Sequence, residues 1–356
     1  MNILILCTHL NPAGISRYVI NLSKGLTKRG HNVYIGCGSG EWLCKLTAAN
    51  IPYKLIPIKT KSICSIKIFM SLFSLIPFIR KEKIQIIHSN TRVTQYLGYL
   101  IHKFCHIPYI STFHGFHHPT FFRKLYKFSG LRTIAVSKAV KKHLSEDLKI
   151  DEGQIRVVYN GVDKEELREK RRTKIDYGFK ESDVVIGVLG RISEEKGHLL
   201  AAEAFKLIAA QYSNSYFLVA GKGRLERELK LFFNLGEMKN RVRFLELEAK
   251  DFLDIPDLLL VPSKKEGFGY TIVEAFIKGV AVIGFNTGGI AEIIKDRENG
   301  LLFYTYDATA LKNAIEEMIR NNDLRKTIIK RAKESANSFS LEKMALDTEN
   351  VYREVK

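Results

Sequence analysis

Acidic residues are scarce in the first half of this chain, where residues 1–165 carry 8 Asp and Glu against 24 Lys and Arg. The remaining residues carry 30 against 32, so nearly all of the net charge of +18 sits in one half. A basic half beside a neutral one implies that the first half faces something anionic. An anionic membrane, worth roughly 1 kcal/mol per nearby Lys or Arg, and nucleic acid are equal candidates on charge alone. Cysteines are few and scattered: Cys7, Cys37, Cys44, Cys64 and Cys105 make no C-x-x-C pair. That excludes a disulfide framework and a cysteine zinc site, and favours a reducing cytosol. Long hydrophobic runs are missing too. Ile63–Ile79 is interrupted by Lys67 and Pro77, which makes it marginal for spanning a bilayer. It reads as a domain helix, with shallow membrane insertion as the other reading. The opening MNILILCTHL lacks a positive n-region and runs into a polar loop, so it reads as a first strand rather than a signal peptide. Internal repeats and low-complexity tracts are absent.

What is present describes a globular α/β protein. At 356 residues, with 46% hydrophobic and 26% charged positions, the chain suits two domains of about 170 residues. Short β-branched runs predict strands at Ile3–Leu6, Asn32–Ile35, Tyr53–Ile56, Ile84–Ile87, Tyr109–Thr112 and Thr133–Val136. Helical periodicity fills most gaps, at Gly14–Arg29, Glu41–Ala49, Ile66–Lys81, Thr91–Phe104 and Lys138–Glu146. The pattern restarts with strands at Val184–Leu189, Tyr216–Ala220, Val242–Leu245, Asp257–Val261 and Ala281–Gly284. Helices at Gly197–Tyr212, Arg224–Leu235 and Tyr270–Lys278 lie between them. Strand–helix alternation at this spacing means doubly wound parallel sheets. The charged stretch 163–183 lacks an apolar face and reads as a linker. The expected plan is a domain over 1–165, a second over 166–339, and a helix over 340–356.

Chemistry-bearing residues cluster where predicted strands end and helices begin, which is where open α/β sheets bind ligands. VPSKKEGFGYTIVEAF places Glu266 on a loop and Glu274 on the following helix, two acceptors for a hydroxyl-rich ligand. The amides of Gly267, Phe268, Gly269, Tyr270 and Thr271 stand at the helix N-terminus, where anions bind. GVLGRISEEKG adds Gly190, Arg191 and Lys196, two cations suited to a diphosphate. At about 4 Å and an effective dielectric near 20, one such charge pair is worth roughly 4 kcal/mol before desolvation. AGKGRLE contributes Lys222, and GFNTGGIAEII a fourth glycine turn. In the first half, HLNPAGISRY puts Gly14 at a helix start, and IIHSN and STFHGFHH place His88 and His114 after strands. The histidines at 114, 117 and 118 have no acidic or cysteine companion, so no metal site is expected. GCGSG at 36–40 lacks the third glycine of a dinucleotide fingerprint and reads as a loop.

Taken in order, AVSKAV, VVYNGVD, GVLGRISEEKG, VAGKG, VPSKKEGFGYTIVEA, GFNTGG and NGLLF resemble the family-4 retaining glycosyltransferases of the GT-B fold, the "glycosyl transferases group 1" class. The resemblance covers essentially the whole chain. It implies two Rossmann-like domains facing across a cleft, with the C-terminal helix crossing back to the N-terminal, acceptor-binding domain. By that resemblance Arg191 and Lys196 bind the donor diphosphate, Glu274 the ribose, and Glu266 the sugar ring near its 3-hydroxyl. His114 stands by the sugar's 6-position or the reaction centre, and Gly14 lets the first loop approach. The class implies sugar transfer from a nucleotide-sugar donor to a lipid-linked or glycan acceptor in cell-surface polysaccharide assembly, without a metal or other cofactor. It also implies docking on the cytoplasmic face of a membrane through basic, aromatic segments such as FFRKLYKF, and no nucleic-acid partner. Two departures stand out: Ala13 precedes Gly14, and Glu246 replaces the usual glycine after Val242–Leu245. A nucleotide-sugar epimerase or hydrolase of the same fold is the nearest alternative, and a basic nucleic-acid-binding protein the more distant one.

Overall fold

The β-branched runs of the first half become seven parallel strands, β1 Asn2–Cys7, β2 Asn32–Cys37, β3 Tyr53–Leu55, β4 Ile86–Ser89, β5 Tyr109–Phe113, β6 Arg132–Ala135 and β7 Ile155–Val157. Their order is β3-β2-β1-β4-β5-β6-β7. Both faces are covered by helices, so the strands need no polar alternation, and Ile3 through Cys7 are wholly buried. β4 begins two residues later than the apolar run suggested. Gln85 instead spends its N–H on the Asn2 carbonyl before the ladder starts. β7, three residues long, was not anticipated.

The second half gives β8 Val184–Leu189, β9 Ser215–Ala220, β10 Val242–Leu245, β11 Leu258–Val261, β12 Ala281–Phe285 and β13 Leu301–Phe303. Their order is β10-β9-β8-β11-β12-β13, again parallel. Each sheet reverses its strand order once, between β1 and β4 and between β8 and β11, and such reversals open a crevice at the carboxyl ends. Helices Ala308–Arg320 and Asn322–Ser335 complete this half and were not foreseen.

The computed structural model describes residues 1–167, 173–234 and 236–356. Positions 168–172 of the expected linker, and Leu235 at the end of one expected helix, lie outside the described residues. Two units form, Met1–Val162 with Phe339–Lys356, and Asp163–Ser338. Helix Leu341–Arg353 belongs to the first unit and packs on helix Gly14–Lys28. Contact there is close: a Cβ on Gly25 would meet the Leu341 carbonyl at 2.8 Å. Buried Leu341, Met344 and Tyr352 supply the apolar side, and Glu349 accepts from Arg29 at 2.6 Å.

The apolar stretch of the first half forms helix Ile66–Lys81, started by the Ser65 hydroxyl. Ile68, Leu72, Leu75 and Ile79 face the core, while Ile66, Phe69, Met70 and Phe73 are exposed. Among the described residues no helix is long and apolar enough to cross a membrane.

Candidate active site

Four turns share the carboxyl edge of the second sheet. After β8, Gly190 donates to the Ala220 carbonyl and Ile192 to that of Lys222, tying this turn to the one after β9. The approach requires Gly221, at φ +137°, because a Cβ there would lie 1.9 Å from the Gly190 carbonyl oxygen. The loop after β11 is held on both sides. Lys264 N–H bonds the Glu195 carbonyl at 2.8 Å, and Gly289 N–H bonds the Glu266 carbonyl at 2.8 Å. Backbone hydrogen bonds thus tie all four turns together before any side chain contributes.

Onto this frame the sequence places its charges. Lys196 and Glu266, 70 positions apart, form a partly buried ion pair through Nζ and Oε2. Helix Tyr270–Lys278 opens at Gly269 directly behind the Glu266 loop, and its first N–H groups have no carbonyl one turn earlier to bond. The Phe268 and Tyr270 rings stack edge to face at 5.4 Å, and Phe268 is buried together with Gly267 and Gly269. Thr271 is half-buried, and Glu274 lies one turn further in, 2% exposed. The far end of that helix is anchored by a buried pair, Lys278 to Asp254 at 2.9 Å.

Other expected residues stand apart from this group. Arg191 is exposed and, among the described residues, pairs with Glu195 at 3.7 Å. Lys222, also exposed, pairs at 3.0 Å with Glu246, so the departure from the family glycine supplies that lysine's counter-charge. The sequence reading overlooked His198, which follows Gly197. It is fully buried beside the Gly190 turn. Burial, reinforced by Lys196, pushes its imidazole down to about 4. A histidine next to a predicted phosphate turn was the available signal.

In the first unit, Gly14 is the exposed first residue of its helix. His88 does not follow a strand but lies inside β4, wholly buried. Its Nδ1 meets the Tyr352 hydroxyl and its Nε2 the Thr112 hydroxyl, each at 2.7 Å, so it joins β4 to the C-terminal helix. His114 packs edge to face on Tyr18, 4.6 Å between centroids. Its Nε2 lies 3.1 Å from Asn90 Oδ1, and Asn90 Nδ2 donates to the carbonyls of Leu6 and His88. Asn90 Oδ1 must therefore accept, so Nε2 carries the proton and Nδ1 keeps a lone pair. Burial, then His117, pushes His114 down to about 3, so the ring is neutral at physiological pH. A cavity of ≈200 Å³ opens beside it, lined also by Arg92, Gln95 and Arg123. Sequence reading missed Arg92 and Gln95 as site residues and took Arg123 for a membrane contact. For Arg92 and Gln95 the available signal was their position where a helix starts after β4.

The model of the group described as "Glycosyl transferases group 1" matches residues 169–335, and that of "Glycosyltransferase Family 4" matches residues 12–166. An uncharacterized glycosyltransferase of Methanocaldococcus jannaschii is 32% identical over 78% of this chain and 77% of its own length. The UDP-Gal:alpha-D-GlcNAc-diphosphoundecaprenol alpha-1,3-galactosyltransferase of Escherichia coli is 27% identical over 85% of this chain and 84% of its own. Among solved structures, Anabaena HepE in complex with UDP and glucose matches with a TM-score of 0.84 at 20% identity. The match covers 99% of this chain and all of that one. That likeness concerns the fold.

Proposed function

This chain belongs to the family-4, group-1 glycosyltransferases of the GT-B fold, and from that premise we propose the finer reaction. It moves a hexose-type sugar from a nucleotide-sugar donor to a lipid-linked or surface-glycan acceptor, with retention at the anomeric carbon. The observation that carries this reading is the Lys196–Glu266 pair in front of a helix N-terminus, with Glu274 buried on the same helix.

In the proposed reaction Lys196, with Arg191, faces the donor diphosphate. Glu266 accepts from the sugar's hydroxyls, and Glu274 accepts from the ribose. As the bond from C1 to the phosphate oxygen breaks, negative charge grows on the leaving nucleotide. A fixed cation then stabilises the transition state more than the ground state. The acceptor oxygen bonds C1 on the same face, and its proton passes to the departing phosphate. Lysine and arginine do the work a metal would do, so none is required. His114, neutral with an open Nδ1, accepts a hydrogen bond from a hydroxyl rather than supplying charge.

We place this work at the cytoplasmic face of a membrane. The exposed Ile66, Phe69, Met70 and Phe73 recur at helical spacing on one stripe, and residues 52–83 hold seven Lys and Arg against one Glu. Phe121, Leu125 and Tyr126, exposed beside Lys124, add a second patch. Apolar side chains ringed by lysines suit an anionic lipid surface.

The donor is tested by thermal unfolding with UDP-, GDP-, ADP- and TDP-sugars. The matching donor stabilises by mass action, about 2.7 kcal/mol at a hundred times Kd. Lys196→Ala and Glu274→Ala should weaken that shift. A chain that responds to no donor would contradict the reading, and full turnover with donor alone would favour an epimerase or hydrolase.

A further inference from the structure

The cavity beside His114 holds positive charge of its own, in the unit that does not carry the Lys196–Glu266 pair. Arg92, the first residue of helix Arg92–Cys105, and Arg123, on helix Phe121–Leu125, both line it, and no carboxylate does. Among the described residues neither guanidinium has an ion-pair partner. Arg92 donates once, to the Lys127 carbonyl at 3.0 Å, and lies over the Phe128 ring at 5.0 Å. Those two contacts hold its plane and, among the described residues, leave its other side-chain N–H groups without an acceptor. Burial and then the nearby Arg123 charge push Arg92 down to about 10, the sign of two cations held close without a counter-ion. His114 and His117 are kept neutral by burial, at about 3 and about 4, so the arginines carry the positive charge here.

A second observation points the same way. Gln95 lines the cavity, is 3% exposed, and makes no side-chain hydrogen bond among the described residues. Its amide atoms reach the cavity rather than being sealed in the core, so its N–H and C=O are available to a ligand there. The 14-residue helix that carries Arg92 and Gln95 also brings its N-terminus to this end, adding a dipole that favours negative charge.

We propose that this cavity binds the phosphate or diphosphate group of the acceptor, with Arg92 and Arg123 as forked donors and Gln95 as a third contact. The assignment rests on the glycosyl-transfer reading above and names the acceptor class: a phosphorylated sugar. A neutral glycan would leave both guanidiniums uncompensated, and a single carboxylate would balance only one. A dianion answers both, and guanidinium–phosphate pairs are commonly bidentate. The same group is carried by a lipid-diphosphate-linked sugar and by a soluble sugar phosphate.

The test is calorimetric titration of inorganic pyrophosphate into the full chain carrying Lys196→Ala, which weakens the donor's own diphosphate site. Pyrophosphate should bind, and adding Arg92→Gln or Arg123→Gln should weaken it at least about tenfold. Arg123→Lys should fall between, because it keeps charge and loses the fork. Circular dichroism checks that each variant folds, and Arg123, on a short surface helix, is the safer substitution. Competition then separates the sources: a sugar 1-phosphate and a short-chain prenyl-diphosphate sugar in detergent should each displace pyrophosphate, and the tighter identifies the natural form. Equal pyrophosphate affinity with and without Arg92→Gln and Arg123→Gln would overturn the proposal. So would failure of both competitors, or tighter binding of malate than of pyrophosphate. The nucleotide-sugar thermal shifts are read separately, so failure of the donor reading and failure of this one are distinguishable.

Discussion

At the scale of single residues, the histidines separate what a sequence can show from what it cannot. His88 and His114 look alike in the sequence, each near the end of an apolar run, yet one ties strand to C-terminal helix and the other opens on a cavity. The difference lies in Tyr352, 264 positions from His88, which no local pattern reveals. Burial holds the His88 imidazole at about 3, against 6.5 for an ordinary histidine. The unfolded chain therefore takes up a proton near pH 6.5 that the folded chain refuses until about pH 3. Stability from this residue is intact above pH 6.5 and is lost as pH falls through that window, at up to about 1.4 kcal/mol per pH unit. Chemical denaturation in steps from pH 7 to pH 4 should show a steeper loss in the wild type than in His88→Gln. Parallel curves would contradict a buried, neutral His88. Glu266 and Lys196 were legible for the opposite reason. Each sits in a short glycine-bearing turn whose spacing is set by local backbone geometry, although their pairing with each other was not visible.

At the scale of elements, the six-residue strands were readable, while of the three-residue strands β3 was readable and β7 and β13 were not. β1, β8 and β9 are six residues each, whereas β7 and β13 are three and depend on a neighbouring strand. Helix Tyr270–Lys278 was plain from its apolar face, but its anchor was hidden. Lys278 reads as a surface lysine near a helix end, yet its side chain is 3% exposed against Asp254 at 4%. Breaking a buried pair from one side is strongly destabilising, so Asp254→Ala should cost about 3–5 kcal/mol. That helix also carries Glu274, so donor affinity should weaken in the same variant. Urea denaturation gives the first quantity and nucleotide titration the second. A change below about 1 kcal/mol would mean that the pair is open to water.

At the scale of the whole molecule, the charge imbalance was visible from composition, whereas the apolar stripe at its side was not. Periodicity marked Ile66–Lys81 as a helix, but a helix that is apolar nearly all round does not say which face is buried. The structure assigns Ile68, Leu72 and Leu75 to the core and leaves Phe69 and Phe73 outside. Vesicles containing anionic lipid should therefore bind the chain in co-sedimentation, more weakly as salt rises. Phe69→Ser with Phe73→Ser should reduce binding without loss of thermal stability, and equal binding to neutral vesicles would contradict the basic surface's role. The central claim concerns the reaction, and acceptor-dependent release of nucleoside diphosphate tests it most directly. With the donor found by thermal shift and a lipid-diphosphate-linked sugar, the wild type should release nucleotide only when acceptor is present, undiminished by EDTA. Lys196→Ala should lower that rate roughly 10²–10³-fold, as expected for a lost transition-state charge contact. Release at the wild-type rate by Lys196→Ala would contradict the account.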